Sequence, residues 1–292
     1  MISGRRIVAV IPAYGEEKSV ASILIRTEKQ VDKVILVDDG SKDLTGEIAK
    51  KMGVTVISHE SNLGKGAALR NGIEYVKKDG GFDILVTLDA DLQHDPADIP
   101  RVVAPLLDGS SDIVIGARPM DSSVMPRDRV MGNKLFDSLS SGGVKLRDTQ
   151  SGFRAYTREA LEKIKFVENG LAVESQTIMD AVNAGLRIKE VPVYTTYDGI
   201  VPKRNAVRHF SHVFDYIISR TIADSPMVYL GLPGIVAIVL GVLAGVRVLS
   251  IFAGSHQIAA GTALVAAILI IVGAVMTSTS VLIKLLKVQA IG

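Results

Sequence analysis

Cysteine and tryptophan are both missing from this chain of 292 residues. The lack of cysteine removes disulfide frameworks, thiolate zinc sites, iron–sulfur clusters and cysteine nucleophiles together. An excess of charge of either sign is missing as well. Lys and Arg number 33 against 31 Asp and Glu, a net of +2, so nothing marks a protein that holds nucleic acid through bulk charge. Two phosphate fingerprints are absent. No Gly-x-Gly-x-x-Gly follows the first apolar run, and Asn62-Leu63-Gly64-Lys65-Gly66 is not the Gly-x-x-x-x-Gly-Lys-Ser/Thr of a Walker A loop. No secretory signal is expected, since Ile7–Pro12 is too short for an apolar signal core and Glu16, Glu17 and Lys18 follow at once. Charge is almost missing from the C-terminal segment, where Arg247 is the only formally charged residue between Val228 and Ile283.

That segment carries the excess behind a mean hydropathy of +0.32. Two candidate spans, Val228–Ser250 and Ala260–Ile283, each exceed the roughly 20 apolar residues needed to cross a bilayer core. A short uncharged link, Phe252–Ile258, joins them into a helical hairpin. Helices buried in a globular core normally keep a polar stripe, which these lack. Arg247 lies near a span end, where a long side chain can reach the headgroups. Lys203, Arg204, Arg208 and Arg220 precede the pair, and Lys284 and Lys287 follow it. The positive-inside rule then puts the head and the C-terminus in the cytoplasm. Gly241 and Gly245 would permit close helix packing, including that of a homo-oligomer.

The rest reads as alternating strands and helices. Short apolar runs at Ile7–Ile11, Val34–Val37, Val54–Ile57, Ile84–Leu88 and Ile113–Ile115 alternate with helical stretches at Glu16–Gln30, Leu44–Met52, Lys65–Lys78 and Pro96–Leu107. This predicts an α/β fold with a mostly parallel sheet covered by helices on both faces. Ligands of such sheets bind beyond the carboxyl ends of the strands. Pro12–Glu16, Asp38–Ser41, Asp89–Gln93 and Gly116–Arg118 therefore form one candidate surface. Lys65 and the amides that start its helix could also meet a phosphate there.

Asp89-Ala90-Asp91-Leu92-Gln93 is the strongest local signal. Alternation puts Asp89, Asp91 and Gln93 on one side of an extended turn, with Ala90 and Leu92 on the other. Two carboxylates and an amide oxygen are hard ligands, suited to Mg²⁺ or Mn²⁺ held partly by substrate phosphates.

Pro12-Ala13-Tyr14-Gly15-Glu16, Asp38-Asp39-Gly40-Ser41, Asn62–Gly66, Asp89–Gln93, Gly116-Ala117-Arg118 and Asp148-Thr149-Gln150-Ser151-Gly152-Phe153-Arg154 follow in order. With this spacing they resemble family-2 inverting glycosyltransferases of GT-A (Rossmann-like) fold, in the polyprenyl-phosphate, dolichyl-phosphate mannose synthase-like branch. The resemblance covers about residues 5–220; it departs at Gly15, where the family pattern usually has Asn. It implies transfer of a hexose from a nucleoside-diphosphate sugar, GDP-mannose favoured and UDP-glucose next, to a polyprenyl or dolichyl phosphate. Pro12, Ala13, Tyr14, Glu16, Val37, Asp39, Lys65, Asp89, Ala90, Asp91, Arg204 and Arg208 would meet the nucleotide sugar. Asp89, Asp91 and Gln93 would hold the metal, Arg118, Arg127 and Arg129 would meet the acceptor phosphate, and Asp89, Asp91 and Arg118 would carry catalysis.

The chemistry of the residues agrees with that implication. A leaving diphosphate needs its charge neutralised. An alcohol acceptor would need a general base, whereas a lipid phosphate is already anionic and needs guanidinium groups to orient it. Glu174 is therefore assigned to packing or capping. A processive polysaccharide synthase would carry a Gln-x-x-Arg-Trp motif, impossible without Trp; a soluble nucleotidyltransferase or a binding module would leave the spans or the acidic motif unexplained. Ala206–Ile222 places Val207, Phe210, Phe214, Ile217, Ile218 and Thr221 at helical spacing beside basic residues, which suits a helix lying among membrane lipid headgroups. The expected division is a cytoplasmic catalytic head over 1–202, an interface helix over 203–226 and two membrane helices within 227–292. Guanine or uracil, and the identity of the sugar, stay open.

Overall fold

Ile7–Ala13 forms strand β1, and all seven of its residues are buried. Ile7, Ala9, Ile11 and Ala13 enter one core while Val8 and Val10 enter another, so an apolar side chain is required at every position. The computed structural model describes residues 4–118, 146–195, 206–257 and 259–289, with the backbone alone for 206–213, 288 and 289. The further strands are β2 (Lys33–Asp38), β3 (Thr55–Ser58), β4 (Ile84–Thr87), β5 (Ile113–Ala117), β6 (Arg154–Thr157) and β7 (Ile188–Pro192). They form one sheet of order β3-β2-β1-β4-β6-β5-β7. Among the described residues β6 runs antiparallel to β4 and β5, and the other pairings are parallel. The ends of β1, β2, β4 and β5 therefore share one edge of the sheet.

Helices cover both faces, as the apolar strands require. α1 (Val20–Glu28), α2 (Thr45–Lys51) and α4 (Ile99–Leu107) contribute Ile23, Leu24, Ala49, Val102 and Val103 to one core. α3 (Lys65–Asp79), α5 (Arg158–Lys163) and α6 (Val173–Asn183) contribute Leu69, Ile73, Leu161 and Val173 to the other. Two expected helices are shorter than read. Glu16–Ser19 is a turn before α1, held by a 2.8 Å bond from Ser19 Oγ to Glu16 Oε2. Pro96–Asp98 is a separate 3₁₀ turn capped by Asp95, whose side chain accepts from Ala97 N at 2.9 Å.

Helix α7 (Ala206–Asp224) follows. The chain divides into compact units at Ile217/Ile218, inside this helix. Ile217 is buried against Ala172, with Leu171, Phe214 and Tyr216 around them, so this part of the apolar stripe is covered by protein. The second unit holds a π turn (Met227–Gly231), α8 (Leu232–Ser255) and α9 (Ala260–Gln289). Met227–Ser255 and Ala260–Lys287 are long and apolar enough to cross a membrane. Small residues, Gly234, Gly241, Ala266, Gly273 and Ser280, take the buried positions of this pair, while Leu243 and Leu249 are exposed. Gly241 abuts the backbone of Ala266 and Ile270 within the pair, so its small size is used there.

Candidate active site

The loop after β1 is stitched to the loop after β2. Gly15 N donates to Ser41 Oγ at 3.0 Å, Glu16 N to Thr45 Oγ1 at 2.8 Å and Asp39 N to Ala13 O at 2.9 Å. Gly15 has φ +67, in the left-handed region that glycine and asparagine adopt most readily. The departure from the family's usual Asn therefore keeps the turn geometry. Tyr14 is exposed and Glu16 half-buried, but Pro12, Ala13, Val37 and Ala90 are buried. Val37 and Ala90 point into the two cores, so these expected nucleotide contacts are limited to backbone.

Asp39 is engaged within the protein. Its carboxylate is turned inward, accepting from Leu63 N and Gly64 N at 2.9 Å each and pairing with His59 Nδ1 at 2.7 Å. His59 Nε2 meets the Asn71 amide nitrogen at 2.8 Å, which leaves the Nδ1 proton for Asp39. Asp39 thus holds the turn that leads into α3. The first amides of α3 are no open phosphate cradle either, because Gly66 N and Ala67 N donate to Asn169 O at 2.8 and 3.2 Å.

Lys65, the first residue of α3, reaches the end of β4. Its Nζ lies 2.6 Å from Asp89 Oδ1 and 2.6 Å from Glu174 Oε1. Glu174 opens α6 and its side chain is 7% exposed, against 30% for Asp89. Glu174, expected to pack or cap, shares the Lys65 ammonium, and nothing in the local sequence pattern announces that partner. The 148–154 loop presses on this triad. A Cβ on Gly152 would lie 2.6 Å from Lys65 Nζ and 2.7 Å from Asp89 Oδ2. The loop is fastened by buried Arg154, which donates to Ser151 O at 2.8 Å, Thr149 O at 2.7 Å, Glu174 O at 3.0 Å and the Thr177 hydroxyl.

Ala90 and Leu92 pack on the core, and Asp89 and Asp91 lie close enough for their charges to interact. The turn is tighter than an extended one. Leu92 has φ 61, and Asp91 Oδ1 accepts from Gln93 N at 3.0 Å. Burial would push the Asp89 carboxyl up, but the Lys65 ammonium outweighs it and holds the group below the usual carboxylate range. Asp91, desolvated and beside the Asp89 charge, is pushed up to about 6. Lys65 is held well above its ordinary value because the two carboxylates outweigh its burial. Burial and the Arg118 charge push the His94 imidazole down to about 4.

Arg118 follows β5 and is clamped. Its Nε and Nη2 each reach an Asp148 carboxylate oxygen at 2.7 Å, and its backbone N donates to the same carboxylate at 3.0 Å. Asp148 is fully buried; burial would push its carboxyl up, and Arg118 holds it below the usual range instead. One edge of the guanidinium expected to orient an acceptor is thus taken by Asp148. Arg127, Arg129 and Arg204 lie outside the described residues, and only the helical position of Arg208 is described.

The donor set fits a divalent cation. An adjacent carboxylate pair, one member of it resisting ionisation beside the other, gains from a cation between them. Among the described residues no third His, Cys, Asp or Glu completes a cluster. Two carboxylates and the Gln93 amide would leave the remaining positions around a Mg²⁺ ion to phosphate oxygens of a substrate.

Glycosyl transferase family 2 matches residues 8–165. The UDP-N-acetylglucosamine–dolichyl-phosphate N-acetylglucosaminyltransferase of Methanococcus voltae is 34% identical, over 67% of this chain and 88% of its own. The polyprenol monophosphomannose synthase of Mycolicibacterium smegmatis is 31% identical, over 66% of this chain and 78% of its own. Glucosyl-3-phosphoglycerate synthase of Mycobacterium tuberculosis, solved with Mn²⁺, UDP and glucosyl-3-phosphoglycerate, superposes with a TM-score of 0.62 at 27% identity, covering 74% of this chain and 80% of that one. The chain belongs to glycosyl transferase family 2 and is a glycosyltransferase of GT-A fold.

Proposed function

We propose that the protein transfers a hexosyl group from a nucleoside-diphosphate sugar to a polyprenyl phosphate, with inversion, at a membrane face. The observation that carries this reading is the Asp89–Asp91 acid pair at the end of β4, flanked by Lys65, in a chain with two helices long enough to span a bilayer. The acceptor is supported by the names of the two relatives, each a lipid-phosphate or polyprenol enzyme.

Asp89, Asp91 and Gln93 would hold Mg²⁺ or Mn²⁺, which when bound would offset the charge of the leaving diphosphate. Tyr14 and Glu16 offer side chains to the nucleotide; Pro12, Ala13, Val37 and Ala90 offer backbone. Asp39 acts at one remove, by setting the turn before Lys65. Lys65, Arg204 and Arg208 serve the donor diphosphate. Arg118, Arg127 and Arg129 serve the acceptor phosphate, and the Asp148 clamp fixes the Arg118 plane before substrate arrives, which lowers the cost of reorganisation. No side chain has to remove a proton, because the nucleophilic phosphate oxygen is already anionic near neutral pH. The head through residue 202, the segment 203–226 at the interface and the spans within 227–292 would face or enter the membrane from the cytoplasm.

GDP-mannose is the donor favoured by the branch resemblance, with UDP-glucose next, and the archaeal relative's name adds UDP-N-acetylglucosamine. The test is a panel of these labelled donors with purified full-length protein and Mn²⁺. Label is expected in the organic phase with polyprenyl phosphate. Label moving to polyprenol or to 3-phosphoglycerate instead would overturn the acceptor.

A further inference from the structure

The Lys65 ammonium is shared. It sits 2.6 Å from Asp89 and 2.6 Å from Glu174, and the two carboxylates come from distant parts of the chain, one at the end of β4 and one at the start of α6. Their exposures differ: a cation from solvent can approach Asp89, whereas Glu174 is shut in. The arrangement is also built for, not incidental. Gly152 leaves the space that any side chain would fill, and Arg154 fastens both the loop carrying Gly152 and the Glu174 carbonyl.

Charge bookkeeping gives the pairing a purpose. An ammonium committed to Asp89 alone would neutralise the carboxylate that has to attract a divalent ion. A second, buried anion takes part of that ammonium's field and keeps the cluster of Asp89, Asp91, Glu174 and Lys65 at two net negative charges. Lys65 still stands beside the metal position, where its charge can meet the donor's phosphates.

We infer that Glu174 is a positioning residue that shares Lys65 with Asp89 and thereby sets the affinity of the site for its divalent ion. The inference rests on the proposed metal role of Asp89 and Asp91. It predicts opposite signs for two single substitutions. Glu174→Gln leaves the ammonium to Asp89 and lowers the net charge to one negative, so affinity for the cation falls. Lys65→Met raises it to three negatives, so affinity rises. The double variant restores two negatives and returns affinity to near the wild type.

The experiment titrates Mn²⁺ alone into full-length protein in detergent, read by water-proton relaxation, with near-UV circular dichroism to confirm folding. Glu174→Gln is expected to weaken binding by at least about tenfold, since one charge acting on a close neighbour at an effective dielectric constant of about 20 exceeds that. Lys65→Met is expected to tighten it, and Glu174→Asp to recover most of the loss. A Glu174→Gln protein that binds Mn²⁺ as the wild type does, or singles that shift affinity in the same direction, overturns the inference. Asp89→Asn separates it from the reading beneath: unchanged Mn²⁺ binding in that variant overturns the metal assignment itself. A wild type that takes up no Mn²⁺ overturns both.

Discussion

Gly152→Ala isolates the contact between the 148–154 loop and the acid pair. The added methyl carbon would stand 2.6 Å from Lys65 Nζ and 2.7 and 3.0 Å from the Asp89 carboxylate oxygens. Ordinary contacts lie at about 3.5–4.0 Å, so the carboxylate or the ammonium must move by about 0.5–1 Å. Gly152 is outside the left-handed region, so the substitution adds no backbone strain. Overpacking of this kind costs about 1–3 kcal/mol. At about 2–4 °C per kcal/mol, the thermal midpoint should fall by several degrees and no more. Activity should fall far further, since a misplacement of about 1 Å at a reacting centre can cost about a hundredfold. The assay pairs initial rates of hexosyl transfer to polyprenyl phosphate with thermal unfolding in the same detergent. A Gly152→Ala protein with wild-type rate and wild-type metal dependence would refute the placement of Asp89 at the reacting centre.

Arg118→Lys keeps the charge but loses the two-oxygen clamp on Asp148, so transfer should drop at least about tenfold while donor binding, measured by calorimetry, stays close to wild type. Asp148 has a folded-state pKa below its unfolded value of about 3.9, so its contribution to stability is complete above that pH and is lost as pH falls below it. Denaturant midpoints at pH 6 and pH 3 should therefore differ less for Asp148→Asn than for the wild type, although the variant is weaker at pH 6. Arg154→Met strips donors from three buried carbonyls and should cost at least about 3 kcal/mol, read as a lower denaturant midpoint. A reporter fused after Gly292 should lie on the same side of the membrane as the head, because basic residues flank both outer ends of the apolar pair; a reporter on the opposite side contradicts the two-span topology.

Strands β1, β2, β4 and β5 were legible because burial on both faces leaves no room for polar alternation, and β1 is the plainest case. Strands β6 and β7 were not. Arg154-Ala155-Tyr156-Thr157 begins with a charged residue whose guanidinium is satisfied by carbonyls of its own loop and of Glu174, and β7 is only half-buried, so neither has an apolar run to read. At the site, the closeness of Asp89 and Asp91 could be read because it depends on neighbours in sequence. The inward turn of Asp39, the closing of the α3 amides by Asn169 and the Lys65–Glu174 pair all depend on contacts across the fold, which spacing does not encode. Glu174 lies in a helix whose local pattern allows a cap as readily as an ion pair, and the long-range partner decides between them.

The central claim is that the acid pair at the end of β4 drives transfer of a sugar onto a lipid phosphate. It is tested most directly by intact-mass and phosphorus NMR analysis of the lipid product, made by wild-type and Asp91→Asn proteins with and without EDTA. The account predicts a product heavier than the polyprenyl phosphate by one hexosyl residue, its phosphate converted from monoester to diester, formed by wild type with metal and lost both in EDTA and in Asp91→Asn. A product of the same yield in EDTA, or a sugar attached while the phosphate remains a monoester, would contradict it.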